Sequence, residues 1–169
     1  MTHVIAGVDG SPRSLAALRL AVKEAAWRGA VLEAVSVYAP PQFLEAQPTS
    51  AISGTAMWAG VSPTHDAPDT LGERRDRVER QARERAAGML AQFISSAGVD
   101  PDSVSRSVVS DQRPARALVR LSAGAELLVV GSRGRGGFAG LLLGSVSQQC
   151  SQHAACPVMI VRSTAVDPG

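Results

Sequence analysis

Apolar and polar positions along the chain follow two rhythms in turn. Residues 3–9 form a short run with strand character. Ser11 and Pro12 come next, a hydroxyl suited to capping a helix and a ring suited to its first turn. Leu15, Leu18, Val22 and Ala25 then recur at helical spacing until Gly29 breaks the pattern. Residues 31–38 read as a second strand. Over 71–97 the helical period returns, with Val78, Ala82, Ala86, Met89 and Phe93 expected on one buried face, and Gly98 and Pro101 end it. Residues 104–109 read as a third strand, and Pro114 opens a helix carrying Ala117, Leu118 and Leu121. Residues 127–130 are wholly apolar, the mark of a strand covered on both faces. A helix from about 145 to 154 and a fifth strand over 158–161 complete the pattern.

Strands alternating with helices imply an α/β fold, a parallel sheet with right-handed crossovers and helices on both faces. At 169 residues the chain suits a single domain over 1–169. Residues 39–69 hold five of the ten prolines and no Lys or Arg, which predicts a long flexible loop inside that domain and not a linker between two cores. Phe43, Met57 and Trp58 in this loop suit a lid over a ligand; a plain insertion is the blander reading.

Charge narrows the function classes. A formal net charge of +2, with Lys23 the one lysine among 17 basic residues, argues against a dedicated nucleic-acid binder. The pairs Glu73/Arg77, Asp76/Arg80 and Glu79/Arg83 stand at i,i+4 with the acid first, as on a solvated helix face. No apolar run approaches the roughly 18 residues of a membrane span and the first residues lack a secretion signal, so no membrane partner and a cytoplasmic location are expected. Cys150 and Cys156 stand six apart without a zinc-ligand pattern; both read as small buried apolar residues, and no metal site is expected.

The candidate chemistry lies after the fourth strand, in Gly131-Ser132-Arg133-Gly134-Arg135-Gly136-Gly137-Phe138-Ala139-Gly140, followed by Gly144-Ser145 at a helix start. Ligands of open α/β sheets bind beyond the carboxyl ends of the strands, where glycines let backbone N–H groups approach an anion. The first N–H groups of the helix and the guanidinium groups of Arg133 and Arg135 add positive potential suited to a polyphosphate. Neither a P-loop nor a dinucleotide fingerprint fits, since no Gly-Lys-Ser/Thr follows and the segment follows the wrong strand.

Gly131, two residues, Gly134, nine residues and Gly144-Ser145 resemble the ATP-binding motif of the universal stress protein family. Residues 4–11, Arg113-Pro114-Ala115, and the stretch from Gly144-Ser145-Val146 to Cys156-Pro157-Val158 extend the likeness over nearly the whole chain. The resemblance implies a five-stranded Rossmann-like parallel sheet in the order 3-2-1-4-5, which sets Asp9 beside the glycine loop. It implies that Asp9 and Val37 flank an adenosine. Gly131, Arg133 and Gly134 would wrap ribose and phosphates, and Gly144, Ser145 and Val146 would close on the phosphates. Gly10, Ser11, Val130 and Ser132 complete the candidate set. Asp9 could instead bond N–H groups at the helix start, and Ser145 could be an ordinary cap. Gln112 and Glu126 stand where the family usually has glycine and aspartate, which bears on local turns.

No catalytic residue is assigned. His153 lies about 12 Å along its helix from the loop and reads as structural, and His3 and His65 are not convincing bases. The expected function is a nucleotide-dependent regulator binding ATP with Mg2+ or Mn2+ and hydrolysing it slowly or not at all. A slow ATPase or nucleotidyl-transfer enzyme, and a structural dimer without nucleotide, are the alternatives. The fifth strand, an apolar edge at Val158 and Ile160, predicts a homodimer.

Overall fold

Five strands, β1 (His3–Val8), β2 (Val31–Tyr38), β3 (Val104–Ser110), β4 (Leu127–Gly131) and β5 (Val158–Val161), pair in parallel in the spatial order 3-2-1-4-5. The structure is a computed structural model that describes residues 2–40, 71–134 and 142–162. Most of the loop expected over 39–69, including Phe43, Met57 and Trp58, lies outside the described residues, as do residues 135–141 of the glycine-rich segment. Four helices connect the strands: α1 (Pro12–Arg28), α2 (Leu71–Ser96), α3 (Pro114–Leu121) and α4 (Ser145–His153), with a 3₁₀ turn at Pro101–Ser103 before β3. Each element falls within a residue or two of its expected bounds; Asp9 itself lies just past the end of β1.

Side chains alternate across the sheet as the pleat requires. Val4, Ala6 and Val8 of β1 pack with Ala17, Leu18 and Ala21 of α1 and Leu90 and Ile94 of α2 on one face. Ile5 turns to the other face and joins Val35, Leu128, Leu118 of α3 and Cys150 of α4. Leu127, Leu128, Val129 and Val130 are all buried, as an apolar strand between two helix layers must be. Removing a fully buried side chain such as Leu18 to alanine would cost about 2–5 kcal/mol.

α1 begins and ends as its sequence dictates. Ser14 N–H donates to Ser11 Oγ at 3.2 Å, and Pro12 fills the first turn. Gly29 takes φ 63°, and its N–H donates back to the carbonyls of Ala25 and Ala26. α2 departs from expectation. Val78 and Met89 are exposed; Ala86 is buried and Phe93 half-buried against the core as expected, and Leu90 and Ile94 complete the buried stripe. Among residues 72–85 of α2 none is buried, so the sheet and not the helix's own periodicity selects the face that packs. Arg19 Nε donates to the Ala97 carbonyl at 3.1 Å, tying α1 to the chain just past α2.

Cys150 is buried, and burial pushes its thiol up to about 11, with the nearby Cys156 adding to the shift. Cys156 is only half-buried, because it lies in the turn after α4 and not in the helix, so the expectation of two buried cysteines holds for one. The two edges of the sheet differ: β3 carries Ser105, Arg106 and Ser107, whereas all four residues of β5 are apolar and half-exposed. Among the described residues no helix is long and apolar enough to cross a membrane.

Candidate functional site

The turn from β1 into α1 is built by Asp9, Gly10 and Ser11. Gly10 sits at φ 81°, a left-handed conformation that a side chain would strain. Asp9 Oδ1 accepts from Ser11 N–H at 3.0 Å, and Ser11 Oγ accepts from Ser14 N–H, so residues of this turn satisfy the start of α1 themselves. Asp9 thus does carry out the helix-start role. It also meets the glycine loop: a Cβ placed on Gly134 would fall 2.5 Å from Asp9 Oδ2. The pairing of β1 with β4 brings the two together.

The crossing from β4 to α4 relies on close approach. A Cβ on Gly131 would lie 2.9 Å from the Arg13 carbonyl carbon and 3.0 Å from Ser14 N, so the loop runs hard against the first turn of α1. A Cβ on Gly144 would lie 3.2 Å from Arg133 Cα. None of Gly131, Gly134 and Gly144 has a positive φ; here the missing side chain, not conformational freedom, is what matters. Ser132 fastens the two ends of the loop. Its N–H donates to Val161 O at 2.8 Å, and its carbonyl accepts from Gly144 N–H at 2.7 Å and from Ser147 Oγ at 2.8 Å.

Two expectations about the start of α4 need correction. The cap is Gly144, extended at φ −81° and ψ 165°, and Ser145 is the first helical residue. The Gly144 N–H is already engaged by Ser132, so it is not available to a ligand. The cap has no side chain, and the first-turn N–H groups of Ser145, Val146 and Ser147 have no acceptor within the helix. They form a positive helix end open to an anion.

A cleft of about 300 Å³ opens there, at the small end of the range for small-molecule pockets. Arg133, Gly134, Gly144 and Ser145 make one end polar, and Val35, Val37, Pro114 and Leu118 make the other apolar. Of the candidate residues, Asp9, Val37, Val130, Gly131, Val146 and the four polar-end residues line it. Gly10, Ser11 and Ser132 do not: Ser11 and Ser132 are buried by the structural roles just described, and Gly10 faces a neighbouring cleft. Sequence reasoning missed Gly7, Val8, Ser14, Val35, Pro114, Leu118 and Ser147. Val35 shares a face with Val37 by the two-residue period, and Leu118 follows Pro114 by one helical turn, so both signals were present. A Cβ on Gly7 would sit 3.0 Å from Leu118 Cδ1, so this glycine lets α3 close over the floor of the cleft.

Other candidates fall elsewhere. His153 is exposed in the last turn of α4, and His3 starts β1 at the opposite end of the sheet. Among the described residues no three His, Cys, Asp or Glu side chains gather as metal ligands. At the two departures the turns are locally satisfied: Asp111 Oδ1 accepts from Arg113 N–H at 2.9 Å across Gln112, and Glu126 N–H donates to His3 O at 2.9 Å.

The strand order and a cleft beyond the carboxyl ends of β1 and β4, where that order reverses, define a Rossmann-like doubly wound α/β protein. A profile described as the universal stress protein family matches residues 1–162, and the chain belongs to that family. It is 37% identical over 161 residues to universal stress protein Rv2623 of Mycobacterium tuberculosis, an alignment covering 95% of this chain and 45% of that protein. The chain therefore spans about half the length of the curated relatives it matches. Among solved structures it resembles a universal stress protein UspA from Lactobacillus plantarum, with a TM-score of 0.65, 18% identity and coverage of 95% and 97% of the two chains. It also resembles a universal stress protein in complex with cAMP, with a TM-score of 0.56, 26% identity and coverage of 95% and 96%.

Proposed function

We propose that the chain is a nucleotide-dependent regulatory protein of the stress response, a single domain whose ligand is ATP held in the cleft with Mg2+ or Mn2+. The observation that carries this reading is the start of α4, which is capped by a glycine without a side chain and opens on a cleft containing Arg133. Phosphates take the N–H groups of Ser145 and Val146 and the Arg133 charge. The adenine takes the apolar end against Val37 and Leu118, and Asp9 accepts from a ribose hydroxyl or the base amine. The cAMP-bound relative supports an adenine nucleotide as the ligand class. Asp9 is the one carboxylate among the described lining residues, so a divalent ion arrives chiefly on the phosphates. No His and no second carboxylate is found among those residues to activate water, and hydrolysis is slow or undetectable.

The apolar, half-exposed edge of β5 supports a homodimer through Val158 and Ile160. The reading further places the protein in the cytoplasm with no nucleic-acid or membrane partner. Ile160→Lys should shift sedimentation to the monomer; a dimer that persists contradicts this edge. For the ligand, mass spectrometry of any co-purified nucleotide, calorimetric titration with ATP and a turnover assay form the test. Binding with negligible turnover is expected. Steady turnover would make the protein an ATPase, and absence of binding would leave a structural dimer.

A further inference from the structure

A second cleft, about 660 Å³, opens on the opposite face of the sheet between the end of β2 and the C-terminal half of α2. Its apolar walls are Val8, Tyr38, Met89, Leu90 and Phe93, and the uncharged Ser36, Gln92 and Ser96 also line it. Val8, Asp9 and Val37 line both clefts, so the two meet over the carboxyl ends of β1 and β2. Their chemistry differs. The first has Arg133 and a helix start, whereas the second has no Lys or Arg among its described lining residues, and Asp9 lines both. A phosphate finds no positive side chain among those residues. The Tyr38 hydroxyl already donates to Glu79 at 2.8 Å, which leaves its ring as the surface it offers. A thioether, two aromatic rings and aliphatic side chains suit an uncharged aromatic group.

Resting on the nucleotide reading above, we propose that the site extends through this second cleft and takes adenine nucleotides bearing an uncharged aromatic substituent at the base end. Three features favour that occupant. The clefts join through Val37, at the apolar end of the first; Arg133 and the start of α4, which suit phosphates, lie at the other end; and Met89, 54% exposed, is an apolar side chain left uncovered by the packing of α2.

The test compares ATP with N6-benzyl-ATP by calorimetry on the full chain, with methyl NMR of the methionines. N6-benzyl-ATP should bind at least about tenfold more tightly, the effect of burying one ring, and should move the Met89 methyl resonance where ATP does not. Met89→Asp should abolish that gain and leave ATP affinity unchanged. Equal affinities, an unmoved Met89 methyl, or a gain that survives Met89→Asp would overturn the proposal. A groove filled by the chain's own residues 41–70 or by a second copy gives those same negative results. If ATP binds and the substituent gains nothing, the extension alone fails; if neither ligand binds, the nucleotide reading fails with it.

Discussion

Helices α1 and α4 each start at the carboxyl end of a central strand, β1 and β4, and those strands are neighbours. α1 is closed by its own residues: Ser11 Oγ takes the Ser14 N–H, and Asp9 takes the Ser11 N–H. α4 is capped by Gly144, with no side-chain bond at all. Two helix starts, each a positive dipole end, therefore differ in what remains for a ligand. The Ser147 hydroxyl, one turn into α4, donates to the carbonyls of Ser132 and Gly144 and caps no N–H group of the helix. Positive potential at α4 meets no side-chain acceptor at its cap, while at α1 it is met by the turn's own residues.

The largest effect should follow from filling the open side. Val at both Gly134 and Gly144 drives side chains into Asp9 Oδ2 and towards Arg133 Cα. ATP affinity should fall by at least about 100-fold, about 2.7 kcal/mol, in a chain whose circular dichroism is unchanged. Parent-like affinity in the folded variant would remove the loop from the site.

Gly131→Ala tests the seam between the two helix starts. Its Cβ meets backbone of α1, which cannot swing aside as a side chain can. We expect a loss of about 1–3 kcal/mol in denaturant unfolding, a stability effect that Gly134 variants should not share. An unchanged midpoint would mean that the seam can open without cost.

How much of this contrast could be read from the sequence follows from what each half depends on. The start of α1 is local: Ser11 and Pro12, both legible in the sequence, make the cap through a three-residue reach to Ser14. The start of α4 is not local. The rule that favours serine at a cap points to Ser145, but Arg133 crowds the cap position and Ser132 binds its N–H from twelve residues away. The face of α2 was legible only in part for a related reason: Ala86 is buried and Phe93 packs half-buried against the core as expected, but Leu90 and Ile94 take the central places and Met89 is left exposed. Strand order and the meeting of Asp9 with Gly134 came through the family likeness, since periodicity alone cannot order parallel strands.

Ser11→Ala should separate stability from binding. Loss of the cap costs about 1 kcal/mol of unfolding free energy, and because Ser11 does not line the cleft, ATP affinity should stay as in the parent. A variant with parent stability and weakened binding would invert the comparison and make α1 the ligand helix.

The smallest change belongs to Ser145→Ala. Ser145 is the first residue of α4, exposed, and makes no cap bond, so its hydroxyl is not part of what holds the helix. Stability should therefore be unmoved, in contrast to Ser11→Ala. The backbone N–H that faces the cleft survives the substitution, and the helix dipole is unaltered. What is lost is at most one hydrogen bond from the hydroxyl to phosphate, in an exposed place where water competes for both partners. That sets the expectation near the low end for a single bond, about 0.5 kcal/mol, or roughly a twofold to threefold rise in Kd by calorimetry. A loss approaching 3 kcal/mol would mean that the hydroxyl engages the phosphate charge directly. The open helix start would then owe its grip to a side chain, as α1 owes its cap to Ser11, and the distinction between the two starts would narrow to which partner each serine serves.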